Sequence, residues 1–229
     1  MDTQIKTTYI DHMGSDLSVV NAARVSFGKT SEMDMSDPWG PPKLKERDTK
    51  LIKYLAKHKH ISPFGHAFAS FHVKAPIFVA RQLVKHKFLR WNEISRRYVD
   101  DEPEFYVPDV WRGRSADKKQ GSEGVVEPVI YGKVGSTTPT DFAYGDLNLY
   151  NILLEQGVAP EQARMVLPQS TLTEWYWSGS LDAFADMCRL RLKEDTQYES
   201  RLVAQQIDAQ MREFYPVSWV ALVGGQDDE

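Results

Sequence analysis

Residues 67–88, AFASFHVKAPIFVARQLVKHKF, decide the fold class. Across Ala67–Val73 the large residues Phe68, Phe71 and Val73 alternate imperfectly with small ones. Aromatic and β-branched side chains suit a pleated surface, so this segment predicts a strand. Pro76 follows where a helix tolerates proline, in the first turn, because an N–H there would have no intrahelical acceptor. From Ile77 to Phe88 the spacing predicts a helix, with Ile77, Ala80, Val84 and Phe88 facing a core. Arg81, Gln82 and Lys85 fall on the opposite stripe, at helical intervals.

Outward from this strand and helix the pattern is mainly helical. Residues 16–27, DLSVVNAARVSF, predict a helix capped by Ser15 or Asp16, with Val19, Val20, Ala23 and Phe27 on one side. Residues 28–47, rich in Gly, Pro, Asp and Lys, predict a surface loop, and a helix over 47–58 buries Leu51, Ile52 and Leu55. Residues 112–139, RGRSADKKQGSEGVVEPVIYGKVGSTTP, hold five glycines and few large apolar residues, which predicts a mobile loop rather than a linker. Helices follow at 140–156, stopped by Gly157, and from Pro160 to just before Pro168. Two apolar stripes close the chain: Leu181, Phe184, Ala185, Cys188 and Leu192, then Val203, Ile207, Met211 and Phe214. No repeat recurs at a fixed period. The expectation is an α+β fold, mostly helical with a small central antiparallel or mixed sheet. It forms a single domain over residues 1–229, with flexible loops near 28–47 and 112–139.

Composition narrows the function classes. Of 229 residues 41% are hydrophobic and 26% charged, as in globular proteins and unlike disordered or fibrous ones. Lys plus Arg total 28 against 32 Asp plus Glu, a net charge of -4, so nucleic acid is not an expected partner and any anion site is local. Apolar runs such as Ala75–Ala80 and Ser218–Gly225 are far shorter than the ~18 residues that cross a bilayer, so no membrane association is expected. The opening MDTQIKTTYIDHMG lacks the basic and apolar blocks of a signal peptide. Cys188 is the single cysteine, which excludes an internal disulfide and fits a cytoplasmic setting.

The strongest local anomaly is 81–97, RQLVKHKFLRWNEISRR, with six Lys or Arg residues against Glu93 alone. A solvated basic face is the plain alternative. Phe88, Trp91 and Ile94 interrupt the charges, and Asn92, Glu93 and Ser95 add donors and acceptors able to contact a polar ring beside a phosphate. A nucleoside monophosphate suits that set. His58, His60, His66 and His72 lie within fifteen residues, yet their spacing matches no helical ligand pair and no acid or thiol separates them. They predict contacts to an organic cofactor or core hydrogen bonds rather than a metal site. Cys188 has apolar neighbours and reads as structural. No glycine-rich phosphate loop or dinucleotide fingerprint appears.

The run from His60 to Pro108 resembles the core of the flavin-dependent thymidylate synthases. That family carries Arg-His-Arg, seven residues, then Ser, inside Asn-Glu-x-Ser-x-Arg-Tyr. The corresponding residues here are Lys85, His86 and Lys87, then Ser95, with Asn92, Glu93, Arg97 and Tyr98 in place. Residues 11–27, ARMVLP at 163–168 and RLRLKEDTQYE at 189–199 are similar to further family blocks. The resemblance implies a homotetramer with active sites between subunits, FAD as cofactor, and dUMP and 5,10-methylenetetrahydrofolate as substrates. NADPH supplies the reducing equivalents and dTMP is the product. It implies a dUMP pocket of Gln82, Leu83, Val84, Lys85, Glu93, Ile94, Ser95, Arg96, Arg97 and Arg164, with Arg191 at the uracil as the catalytic group. For FAD it implies Ser26, His60, Ser62, Lys85, His86, Lys87, Phe88, Asn92, Glu93, Ser180 and Asp186. No enzyme cysteine and no metal take part.

The chain also departs from the family pattern. Lys85 and Lys87 replace two arginines, keeping charge but losing the planar fork. Gly65 stands where Glu is frequent and Asp195 where His is frequent. Ser180, Asp182 and Asp186 occupy a stretch where other members hold FAD through Asn and Arg. Those carboxylates would repel a flavin pyrophosphate unless countered. Two alternatives stay open on the same fold: a dUMP hydroxymethylase, in which water intercepts the activated one-carbon unit, and a nucleotide-binding protein without redox activity.

Overall fold

The computed structural model describes residues 4–99, 101–116, 121–132 and 135–224. Its centre is a four-stranded antiparallel sheet of β1 (Lys6–Met13), β2 (Phe68–Pro76), β8 (Leu172–Ser180) and β3 (Leu89–Glu93), in the spatial order β1-β2-β8-β3. Alternation sets its two faces. Ala69, Phe71, Val73 and Ala75 of β2 are buried beside Thr173, Trp175, Trp177 and Gly179 of β8, with Phe71 opposite Trp177 and Val73 opposite Trp175. The other face carries His72, Lys74, Glu174 and the exposed Tyr176. Large aromatic pairs across strands explain why β2 and β8 form the middle of the sheet.

Helices α1 (Asp16–Arg24), α2 (Glu46–Lys57), α3 (Ile77–Leu83), α6 (Leu181–Arg191), α7 (Tyr198–Phe214) and α8 (Pro216–Val223) surround the buried face. Phe184 of α6 meets Phe71 and Trp177 edge-on, at 5.3 and 5.5 Å between ring centroids. Leu181, Phe184, Ala185 and Cys188 of α6 and Val203, Ile207 and Met211 of α7 are buried as their spacing predicts, while Leu192 and Phe214 are only partly buried. Cys188 is buried with its thiol 3.7 Å from the Ala204 carbonyl, and burial holds its pKa well above the ordinary value. Asp16, also buried, accepts from the backbone N–H groups of Val217 and Ser218 at 2.9 and 2.8 Å and so caps the start of α8. Two further helices, α4 (Pro139–Glu155) and the short α5 (Pro160–Ala163), pack together with the 3-10 turn Arg164–Val166. Among the described residues no helix is long and apolar enough to cross a membrane.

Several expectations are corrected. The helix predicted over 77–88 stops at Leu83, and its buried positions are Val79, Ala80 and Leu83 rather than Ile77, Val84 and Phe88. Phe88 is 83% exposed with a φ of 66°, a left-handed turn that redirects the chain into β3. There Trp91 pairs opposite Trp177 and stacks on Trp175 at 4.4 Å, an aromatic gain that a continued helix would forfeit. Gly179 allows the approach: a Cβ on it would lie 3.1 Å from the Phe88 carbonyl oxygen. Phe27 is exposed rather than facing the core, because the chain tightens into a 3-10 turn over Val25–Phe27. Inside 112–139 the structure places two hairpins, β4 (Trp111–Arg114) with β5 (Ser122–Val126) and β6 (Ile130–Gly132) with β7 (Gly135–Thr137). Residues 117–120 and 133–134 of that expected loop lie outside the described residues.

The 28–47 segment is irregular but tied down. Asn21 and Ser31 exchange hydrogen bonds at 2.7 and 3.1 Å, and Asp34 and Lys43 form an isolated bridge. Asp48, fully buried, accepts from the Ser31 hydroxyl and the Arg24 guanidinium. Burial pushes its carboxyl pKa up, but Ser31 and Arg24 outweigh that and hold it below the ordinary carboxylate value. Its stabilising contribution is therefore present above the ordinary value and fades as pH falls through the lowered one. Removing one partner of a buried pair is costly because the other stays desolvated. We expect Asp48→Ala to destabilise the fold by about 3 kcal/mol in urea denaturation. A loss within about 0.5 kcal/mol, as for an ordinary surface change, would refute this account of the anchor.

Candidate active site

Three helix ends converge beside the sheet. Gln82 is on the last turn of α3, Arg191 ends α6, and Gln197 caps the start of α7. Arg191 Nε donates to His86 Nε2 at 3.0 Å. Its Nη1 and Nη2 point to the Gln82 side-chain and main-chain oxygens at 3.5 and 3.4 Å. Among the described residues no carboxylate lies within ion-pair distance of Arg191. Burial lowers its pKa from the ordinary value, yet a guanidinium keeps its proton, so a half-buried cation is held by neutral acceptors alone.

A guanidinium only donates, so His86 Nε2 is bare and the imidazole proton sits on Nδ1. Burial first, and the Arg191 charge second, lower the His86 pKa from 6.5 to about 4. Between these values the unfolded chain takes up a proton that the folded ring refuses, so this group lowers stability as pH falls from 6.5 towards 4. We expect nitrogen NMR of the His86 ring to show the neutral Nδ1–H form from about pH 5 to 8, above the lowered value. A midpoint at the ordinary histidine value would contradict the geometry.

Gln82, Arg191 and Gln197 line a cavity of about 710 Å³. Its other walls include Phe78, Tyr106, Trp111, Leu190 and Lys193, and Arg112 and Ser122 from the β4–β5 hairpin. Arg112 fastens that hairpin. It pairs with the buried Glu199, donates to the Ser122 hydroxyl at 3.0 Å and lies 4.5 Å over the Tyr198 ring. The Tyr106 hydroxyl also donates to Glu199, at 3.4 Å. Arg112, Tyr106, Gln197 and Glu199 are site residues that the sequence reading does not single out. Gln197 and Glu199 do fall in the family block 189–199, which is a signal for them, whereas Arg112 is hidden in a segment that reads as a loop.

No side-chain hydrogen bond or ion pair ties the remaining expected residues to the Arg191 cluster among the described residues. Leu83 is buried in the core and Val84 is 49% exposed. Lys85, Lys87, Asn92 and Ile94 are exposed, as is Phe88, so of the three apolar residues that interrupt the basic stretch only Trp91 is drawn inward, onto Trp175. Glu93 is held by the Thr173 hydroxyl at 2.7 Å and the Trp91 indole N–H at 3.0 Å. The Ser95 hydroxyl accepts from the Arg97 N–H at 3.3 Å, and Arg96 donates to the Asp101 carbonyl. Arg97 lies over the Tyr98 ring at 5.1 Å and 4.0 Å from Glu161, while Arg164 donates to the Glu161 carbonyl at 3.2 Å. Ser26, His60 and Ser62 are exposed, and Ser180 is half-buried. Asp186 is paired with Arg189, so its charge is countered. His60 and His58 stack around Tyr54, and His72 sits 3.1 Å from Glu174. Within one chain, the structure therefore unites Gln82, His86 and Arg191 and leaves Lys85, Arg97 and Arg164 of the expected phosphate site exposed and Arg96 half-buried.

A family model, thymidylate synthase complementing protein, matches residues 8–217. The flavin-dependent thymidylate synthase of a Thermus thermophilus strain is 40% identical over 93% of this chain and 73% of its own length. That of Thermosipho africanus is 36% identical over 93% of this chain and 89% of its own. The crystal structure of the UMP/dUMP methylase PolB from Streptomyces cacaoi bound with 5-Br dUMP superposes with a TM-score of 0.74 at 30% identity, covering 96% of this chain and 95% of that one. A match that spans both the convergent helix ends and the basic stretch means that this chain belongs to the thymidylate synthase complementing protein family.

Proposed function

We propose that this protein is a flavin-dependent thymidylate synthase that methylates dUMP to dTMP. The observation that carries this reading is Arg191, a half-buried guanidinium at the wall of a cavity with no carboxylate to neutralise it among the described residues. A cation so placed favours negative charge developing on a pyrimidine as N3 ionises, which makes C5 more nucleophilic toward the methylene carbon of 5,10-methylenetetrahydrofolate. Family membership and the nucleotide-bound relative support the substrate.

The donor set fits FAD. Lys85 and Lys87 are exposed cations without an ion pair among the described residues, Ser26 and Ser62 offer hydroxyls, and Phe88 presents an exposed ring. The Asp186–Arg189 pair removes one of the two charges that would oppose a pyrophosphate. His60, Lys85, His86, Lys87, Phe88, Asn92, Glu93 and Ser180 would complete that site, His86 through its Nδ1–H. When bound and reduced by NADPH, the flavin supplies hydride to the transferred carbon. The chain's own residues bind and orient: Gln82 and Arg191 hold the pyrimidine edge, and Glu93 stays fixed by Thr173 and Trp91. Lys85, Ser95, Arg96, Arg97 and Arg164 hold the phosphate by charge-assisted hydrogen bonds, beside the backbone of Leu83, Val84 and Ile94. Arg97 and Arg164 meet at Glu161, away from Arg191's partners, and a homotetramer with sites between subunits would bring a phosphate held there to a pyrimidine at Arg191. The whole chain acts as a single domain, in the cytoplasm.

Purified protein should be yellow. With dUMP, methylenetetrahydrofolate and NADPH it should yield a product with the mass of dTMP. No dTMP at saturating FAD, or the mass of 5-hydroxymethyl-dUMP, would overturn the reading. Arg191→Ala should abolish turnover while flavin absorbance is retained; full activity would remove the role given to Arg191. Arg97→Ala should weaken dUMP binding far more than deoxyuridine binding, and equal losses would remove the phosphate assignment.

A further inference from the structure

One constraint orients every hydrogen bond around Gln82. Arg191 has no acceptor, so the amide oxygen of Gln82, not its nitrogen, faces Nη1. With the oxygen so turned, the Ser200 hydroxyl, 3.2 Å away, must donate to it. Gln82 Nε2 then faces Gln197, whose side-chain oxygen must accept. The remaining amide end of Gln197, its NH2, is the one turned away from Gln82, and Gln197 lines the cavity. Ser200 is fully buried on α7 and is not among the cavity-lining residues.

We propose that Ser200 and Gln197 are positioning residues that fix the Gln82 amide and thereby set the base specificity of the site. The inference rests on the reading that a pyrimidine lies against Arg191. With the amide locked, the wall formed by Arg191, Gln82 and Gln197 presents N–H groups. Such a wall matches the two acceptors of the uracil edge, the C2 and C4 carbonyl oxygens, and favours loss of the N3 proton between them. Cytosine carries an amino donor at C4, and two donors facing each other leave both unpaired. Without the Ser200 hydroxyl, only the 3.5 Å contact to Arg191 and the link to Gln197 oppose rotation of the amide.

The test is calorimetric binding of dUMP and dCMP to the flavin-loaded assembly, with melting temperatures measured in parallel. Wild-type protein should prefer dUMP. Ser200→Ala should weaken dUMP about five- to tenfold while leaving dCMP unchanged or tighter, so that the ratio collapses. Ser200→Thr, which keeps the hydroxyl, should restore the ratio, and Gln197→Leu should reproduce the alanine effect from a partly exposed position. An unchanged ratio in both Ser200→Ala and Gln197→Leu would overturn the proposal. So would equal losses for both nucleotides with a lowered melting temperature, which would mark a structural role. Wild-type protein that makes dTMP yet shows no preference over dCMP would sink this inference and leave the proposed function standing. Absence of dTMP would count against the function itself.

Discussion

The site depends on how a guanidinium is kept half-buried without an anion. Removing a cation from water is expensive unless hydrogen bonds replace hydration. Here the replacements are a bare imidazole nitrogen and two oxygens of one glutamine. Neutral acceptors satisfy the geometry of Arg191 but leave its charge uncancelled. A carboxylate in place of His86 would hold the side chain more strongly and would also quench the field it projects into the cavity. The lowered His86 pKa belongs to the same arrangement, since a protonated ring would face the guanidinium as a second cation.

The fold supplies this arrangement through helix ends rather than loops. Gln82 sits where α3 stops, and α3 stops because Phe88 turns the chain into β3. Arg191 sits where α6 stops, two turns beyond Phe184 on the same face, and Phe184 packs into the aromatic centre of the sheet. The position of the polar cluster is thus inherited from the apolar packing of the helix that carries it. The hairpin wall is fastened differently. Its anchor is an ion pair between Arg112 and the buried Glu199 with a tyrosine face beneath, so the cavity has one wall set by the core and one set by charge.

Much of this is legible in the sequence, for identifiable reasons. The α6 and α7 stripes repeat apolar residues over several turns, and periodicity of that length is hard to mistake. Strand β8 escapes the reading although TLTEWYWSGS alternates inward Thr173, Trp175 and Trp177 with outward Glu174 and Tyr176, because both sets hold an aromatic residue and the contrast in polarity is weak. The end of α3 escapes it because Val84 and Phe88 continue a helical spacing. What overrides that spacing is the stacking of Trp91 on Trp175, a contact 84 residues away in sequence. The hairpins of 112–139 are hidden by glycine content, which marks their turns and says little about the pairing between. At the site, Arg191 and Gln82 are identifiable from their family blocks. Glu199 closes the family block at 189–199, but Ser200 lies just outside it and acts through α3, and no local pattern announces a residue whose partner is 118 positions away.

The division of charge follows from the same geometry. Arg191 can work from inside one chain because a pyrimidine edge is nearly neutral and only becomes anionic as the reaction proceeds. A phosphate is anionic from the start and needs several cations at once. Burying such a group in one subunit would leave uncompensated repulsion whenever the nucleotide was absent. Lys85, Arg97 and Arg164 stay exposed and Arg96 half-buried in the isolated chain, with Arg97 and Arg164 both beside Glu161. Under the proposed assembly these cations would close on a phosphate where subunits meet. Under that proposal lysine at 85 suits the task better than it suits a rigid planar grip, since a flexible ammonium follows a phosphate without needing a fixed fork geometry.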